Sequence, residues 1–451
     1  DHAVGITRLN AYAGLASGYV LRDSAEEALI ASGAIPLREI PLVIQDKIFD
    51  ESGQLWYPRV YDTDFFLLFP GDRPLPEPST GAEFWGDTML VNGTAYPFVE
   101  VEPRRYRLRI LNACNTRFVR LRIVYAKGPA FPDSTEPDVN ALGPALQQIG
   151  TEGGFLPAPV ILDGSYQGLT LILAPAERAD VIVDFGKTAP GDALLLYNDA
   201  PVPFPGGTPL ADFYPGNNRL ANPPQAGYGP NTQTLLQFRV GPRSGAPEGK
   251  PVKLRLPDLY PALLAPAGVT TPPPGVRVRD LTLNEAIDRF GRLTQLLGTN
   301  EPTNPGAFGR AYESTPTETP GVGDIEVWRI FNLSADAHPI HFHLVNVQIL
   351  SRQAFNVRRY DGVPAFVGAP VAPDPNELGW KETVRMNPGE CTTVLMQFKL
   401  PPDPIINGQS VTVPFSPRLN EEYGIDGHEY VWHCHILEHE EHDMMRPLIV
   451  G

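Results

Sequence analysis

The sequence predicts an all-β protein assembled from more than one sandwich. Three observations carry that expectation: short runs that alternate apolar with polar residues, dense prolines and glycines, and very little helical periodicity. Among 451 residues there are 50 Pro and 42 Gly, about a fifth of the chain, a composition that favours turns over long helices.

In chain order, residues 1–23 are too few to form a core and read as the end of a larger domain; Leu15, Tyr19 and Leu21 are expected to be exposed there. Residues 25–32 carry the first helical pattern. From 36 to 240 strands dominate. Tyr106-Arg107-Leu108-Arg109-Ile110-Leu111-Asn112 and Phe118-Val119-Arg120-Leu121-Arg122-Ile123 have the period of a half-buried strand, and Val181-Ile182-Val183-Asp184-Phe185 is short and β-rich. Residues 241–278, with Pro272-Pro273-Pro274-Gly275, read as an extended linker. The strand pattern returns over 279–451, including Thr393-Val394-Leu395-Met396-Gln397-Phe398, with a second candidate helix at 285–297.

The two strand-rich regions resemble each other. Leu108-Arg109-Ile110-Leu111-Asn112 matches Trp328-Arg329-Ile330-Phe331-Asn332 at an offset of 220. Pro175 and Glu177 followed by Phe185 match Pro388 and Glu390 followed by Phe398 at an offset of 213. Two matches in the same order predict two copies of one β-domain.

Charge and hydropathy remove several classes of function. Lys plus Arg number 36 against 52 Asp plus Glu, a net charge of −16, which argues against a nucleic-acid or anionic-membrane surface. No apolar run approaches the roughly 20 residues of a membrane span, and no signal peptide opens the chain. Three cysteines allow one disulfide at most; Cys114 and Cys391 read as core residues.

The histidines are the strongest signal. Eight of nine lie in the last 114 residues, three within 338–343 and five within 428–442, a clustering that metal ligation explains. Alternation along a strand sorts them. In His433-Cys434-His435 the thiol faces one way and both imidazoles the other, and His341 and His343 share a face. Pro339 is expected to interrupt the strand, leaving His338 in a turn and free to reach a different site. Two sites result. Cys434, His338 and His439, with Met444 as a weak axial donor, form the ligand set of a blue-copper site. His341, His343, His433 and His435 form a thiolate-free set suited to a polynuclear cluster, joined to the first site through the peptide of Cys434. Met445 competes with Met444, while His428 and His442 fit neither site and read as solvated. At the offset of 220, His338, His341 and His343 correspond to Phe118, Leu121 and Ile123, so the first copy is expected to be a ligand-free scaffold.

These residues resemble the multicopper oxidase family. His338-Pro339-Ile340-His341-Phe342-His343 is similar to one family signature, and the run from His433 to His439 with Met444 to another. Residues 1–10 are similar to the end of the first domain in the bacterial spore-coat laccase and bilirubin oxidase branch. The resemblance implies tandem cupredoxin-like Greek-key sandwiches with an incomplete first domain. It also implies four copper ions, one type 1, one type 2 and two type 3. By that match His338 and His439 are type 1 ligands, His341 is type 2, and His2, His343, His433 and His435 are type 3. Glu440 matches an acidic residue beside the oxygen-reducing cluster, and with His439 and Cys434 it is a catalytic candidate. The implied reaction is one-electron oxidation of a small aromatic reductant (a phenol, an aromatic amine or a bilirubin-type pigment) coupled to four-electron reduction of O₂ to water.

The family's His-x-His-Gly motif is absent, so three cluster histidines are expected on a missing N-terminal segment, continuous with Asp1 or held as a separate chain. The resemblance favours an extracellular, periplasmic or spore-coat location. Two other functions fit the same residues. One is a blue-copper electron-transfer protein without a working cluster. The other is a cuprous oxidase, against which the lack of a Met-rich tract weighs.

Overall fold

The computed structural model describes residues 2–3, 5–58, 71–72, 74–76, 79, 81–128, 135–165, 169–207, 212–214, 222, 224–225, 228–245, 253–259 and 261–451. They cluster into two compact units, Asp1–Arg59 with Glu83–Tyr260 and Val60–Ala82 with Pro261–Gly451. Each unit is a sandwich of two sheets, as an all-β chain requires.

In the first unit a seven-stranded sheet runs Thr94–Ala95, Thr88–Val91, Glu39–Lys47, Arg105–Asn112, Arg178–Asp184, Leu146–Thr151 and Gly154–Leu162. The second sheet runs Leu171–Leu173, Val119–Ala126, Ala193–Asn198, Thr234–Val240 and Phe98–Val101, with Pro137–Leu142 beside Val119–Ala126. Leu42, Leu108 and Val181 from one sheet meet Leu121, Leu194 and Phe238 from the other in one core. Burying each such side chain stabilises the fold by roughly 1.5–3 kcal/mol. The expected helix near residue 25 is Ser24–Ala31, begun by Asp23, whose carboxylate accepts from the Glu26 N–H at 2.8 Å. Leu15, Tyr19 and Leu21 are exposed.

In the second unit a six-stranded sheet runs Gly309–Arg310, Leu293–Thr299, Arg277–Ile287, Ile325–Asn332, Glu390–Gln397 and Val347–Ala354. Facing it is a four-stranded sheet of Thr383–Met386, His338–Phe342, His428–Cys434 and Met445–Val450. Trp328 of the larger sheet lies 5.9 Å from Phe342 and 5.4 Å from Trp432 of the smaller, ring centre to ring centre, and locks the two together.

The helix expected at 285–297 is a β-hairpin. Glu285 opposes Gln295 and Ile287 opposes Leu293. Between them the Asp288 carboxylate accepts from the Phe290 and Arg292 N–H groups, and Gly291 takes a φ of +81°. That turn chemistry reverses the chain where apolar spacing alone suggested continuation.

The repeat extends to the pairing register. Leu108 opposes Val181, and Trp328 opposes Val394, the positions to which the offsets of 220 and 213 carry the first pair. Each repeated strand also has a parallel neighbour, Glu39–Lys47 in one unit and Arg277–Ile287 in the other. Both repeats end on an asparagine that brackets the next loop. Asn112 donates to the carbonyls of Arg117 and Leu173, and Asn332 to those of Asp336 and Met386. No helix among the described residues is long and apolar enough to cross a membrane.

Candidate metal centre

Register in the four-stranded sheet fixes the faces. Ile340 opposes Cys434 and His341 opposes His433, and residues opposed in an antiparallel pair share a face. His338, two residues before Ile340, therefore lies on the side of the thiol, and His341, His433 and His435 lie on the other. This corrects the expected route for His338. It is not in a turn: the strand begins at His338 itself, opposite Met386, and alternation carries its ring to Cys434. Pro339 is tolerated because it is the second residue of the strand, and its carbonyl accepts from the His435 N–H at 2.7 Å.

The third member of the thiol side comes from a short helix, Leu437–Glu441, which follows the cysteine strand and turns His439 back. Cys434 Sγ lies 3.6 Å from His338 Nδ1 and 3.6 Å from His439 Nδ1, and the two nitrogens are 3.2 Å apart. A point equidistant from these three atoms is about 2.0 Å from each, the length of a metal–imidazole bond. His338, Cys434, His439 and Met444 are all 0% exposed, so water does not compete there. Burial pushes His439 down to about 3 and, with the neighbouring His439 ring, holds His338 well below the usual histidine range. Both imidazoles are therefore neutral near pH 7 and able to donate a lone pair. The Ile436 N–H points at Cys434 Sγ at 3.5 Å.

Met444 adjoins the trio through its backbone: its N–H donates to His439 O at 2.9 Å, and its carbonyl accepts from Cys434 N at 3.0 Å. Met445 opposes His433 in the sheet and so belongs to the far face. A buried soft cysteine sulfur and two neutral imidazoles are a donor set that fits copper, with Met444 adjoining through its backbone.

On the opposite face four imidazoles converge. Ring centres of His341 lie 5.2, 5.3 and 5.6 Å from those of His343, His433 and His435, and His433 lies 5.3 Å from His343. Nε2 of His433 and Nε2 of His343 are 3.3 Å apart. Nδ1 of His433 lies 3.1 Å from Glu440 Oε2 and 3.0 Å from the Cys434 carbonyl, both acceptors, so the ring proton sits on Nδ1 and the Nε2 lone pair points at His343. Burial pushes His433 down to about 4, which keeps it neutral. His341 uses Nδ1 against Thr383 Oγ1 at 3.0 Å. Two residues beside these ligands hold left-handed backbone without being glycine, Leu344 at φ 71° and Asp443 at φ 84°. Such conformations cost about 1–3 kcal/mol and collect at functional sites.

His2 lies in the first unit and is exposed. His428 and His442 are half-buried rather than solvated, the former with its ring 5.0 Å from that of Phe415. Cys114 and Cys391 are buried free thiols, and burial pushes Cys391 up to about 12. Thr383 beside His341 and Ser334 beside His338 carry no signal in the sequence, while Glu440, expected near the cluster from the family resemblance, lies against His433.

Two oppositely facing imidazole sets, one fully buried with the thiol and the other with His433 buried and His341, His343 and His435 half-buried, are joined through one cysteine peptide. Residues 291–403 match the multicopper oxidase family model. The chain is 35% identical to a laccase of Bacillus stratosphericus over 453 residues, covering 99% of this chain and 70% of the relative. It is 34% identical to a laccase of Bacillus subtilis, covering 99% of this chain and 69% of that one. The crystal structure of the McoA multicopper oxidase from the hyperthermophile Aquifex aeolicus superposes with a TM-score of 0.60 at 25% identity, covering 100% of this chain and 74% of that one. The chain belongs to the multicopper oxidase family, and copper is its cofactor.

Proposed function

We propose that this chain is the catalytic part of a laccase-like oxidase that takes single electrons from small phenols, aromatic amines or bilirubin-type pigments and passes them to O₂. The observation that carries the reading is the convergence of His338 Nδ1, Cys434 Sγ and His439 Nδ1 on one face, with four imidazoles on the other. Copper bound at the two sets supplies one-electron transfer at the thiolate and multi-electron reduction of O₂ at the imidazole cluster.

The chain's own residues divide the work. His338, Cys434, His439 and Met444 exclude water and hold the type 1 position. His433-Cys434-His435 provides a covalent path from the thiol to the second face. Glu440 fixes the His433 tautomer and is the carboxylate placed to hand protons toward the cluster, since reduction of O₂ to water consumes four.

Four imidazoles are too few for three copper ions. By the family match His2 adds a fifth, and further histidines from an additional segment of the protein complete the set. The test is copper content and intact mass of active enzyme, with O₂ uptake driven by a methoxyphenol. Full activity from a polypeptide beginning at Asp1, at full copper loading, overturns this ligand assignment. Blue colour without O₂ uptake favours the electron-transfer reading instead.

A further inference from the structure

Ser334 lies in the loop between the repeated strand Ile325–Asn332 and the histidine strand, and it is buried. Its hydroxyl oxygen is 2.6 Å from His338 Nε2, 2.6 Å from Asn332 Oδ1 and 3.3 Å from the Asp336 carbonyl. The direction of these bonds follows from Asn332. The amide nitrogen of Asn332 donates to two backbone carbonyls, Asp336 at 2.8 Å and Met386 at 2.9 Å. Its oxygen accepts the Ser334 N–H at 2.9 Å. With the amide so oriented, the serine hydroxyl proton goes to an oxygen, Asn332 Oδ1 or the Asp336 carbonyl. The hydroxyl oxygen must then accept from His338, which places the ring proton on Nε2 and leaves the Nδ1 lone pair aimed at Cys434 and His439.

The first copy of the repeat is an internal control. Asn112 brackets the equivalent loop with the same donors, and its oxygen accepts the N–H of Cys114, the counterpart of Ser334. There His338 is replaced by Phe118, which offers no ring proton, and the Cys114 thiol turns to the Ile44 carbonyl at 3.8 Å. The bracket is common to both copies; the hydroxyl occurs where an imidazole faces it. We infer that Ser334 is a positioning residue for the type 1 copper, selecting the Nε2–H tautomer of His338 and strengthening its Nδ1 as a donor to Cu(II). The inference rests on the copper reading proposed above.

Removing such a support lowers metal affinity by roughly 10–100-fold. A better donor favours Cu(II) over Cu(I), so a tenfold loss of that preference raises the potential by about 59 mV for one electron. The test compares wild type with Ser334→Ala, Ser334→Thr and Ser334→Cys, the last introducing the residue found in the first copy. In metal-free protein, ¹⁵N NMR should show His338 as the Nε2–H tautomer in wild type and in Ser334→Thr, and a mixture in the other two. In copper-loaded protein the potential should rise in Ser334→Ala and Ser334→Cys and return toward wild type in Ser334→Thr. An unchanged tautomer and potential in all three variants overturns the inference while the blue site stands. Ser334→Cys, which keeps the side-chain connectivity, replaces Ser334→Ala if the latter does not fold. A blue band that survives Cys434→Ser removes the copper reading, and this inference with it.

Discussion

Glu440→Gln tests the cluster face with the least disturbance of shape. Glu440 Oε2 accepts from His433 Nδ1 at 3.1 Å, and the two side chains are 4% and 1% exposed. Glutamine can still accept that hydrogen bond through its oxygen, so the ring keeps its tautomer, but the charge and the capacity to carry a proton are gone. A hydrogen bond to a charged group contributes about 1.5–3 kcal/mol and a neutral one about 0.5–1.5 kcal/mol. The difference, about 1–2 kcal/mol, corresponds to roughly a five- to thirtyfold change. That is the change in holding the ring, whereas losing a positioned proton donor costs roughly 10²–10⁴-fold in rate; the expected result is a fall in O₂ uptake of the latter order with a methoxyphenol as reductant, at unchanged copper content and unchanged blue absorbance. The pH profile should change shape, because the proposed proton donor has been removed. Turnover equal to wild type at every pH would show that Glu440 is only a structural neighbour of His433.

Three further outcomes are expected. His435→Ala should stop O₂ reduction and leave the blue band largely intact, because its side chain points away from Cys434; loss of colour with continued turnover in paired absorbance and oxygen-electrode measurements would reverse the two faces. Met444→Leu should keep the colour and raise the type 1 potential in a redox titration, since a weak axial donor to Cu(II) is removed. The third outcome concerns the metal-free protein. His433 and His439 are lowered from 6.5 to about 4 and about 3, so the unfolded chain binds more protons than the folded one below pH 6.5. Stability should therefore fall as pH drops from about 6.5 toward 4, by a few kcal/mol in urea titrations, and a flat profile would contradict neutral buried imidazoles.

Much of this arrangement could be read before the structure, and the reasons are local. Alternation is a property of any strand, so the opposition of Cys434 to His433 and His435 needed no coordinates. The repeat was visible because both copies keep a strand, a bracketing asparagine and a partner strand in the same register. What escaped prediction depends on contacts distant in sequence or on turn chemistry. Apolar spacing at 285–297 suits a helix, but the Asp288 carboxylate and Gly291 make the chain double back. Pro339 suggests a strand breaker, although a proline near the start of a strand costs only a donor. The hydroxyl of Ser334 gains meaning only when the loop after Asn332 folds it onto His338, and no spacing rule encodes that closure.

Cys434 joins the two proposed sites, and copper titration followed by visible absorption tests that role directly. Metal-free wild type and Cys434→Ser would each be titrated with Cu(II) under the same conditions. Wild type should develop an intense thiolate-to-copper charge-transfer band that saturates with one copper, and Cys434→Ser should bind copper without that band. A band that appears equally in Cys434→Ser, or that fails to appear in wild type with copper bound at His338 and His439, would contradict the account.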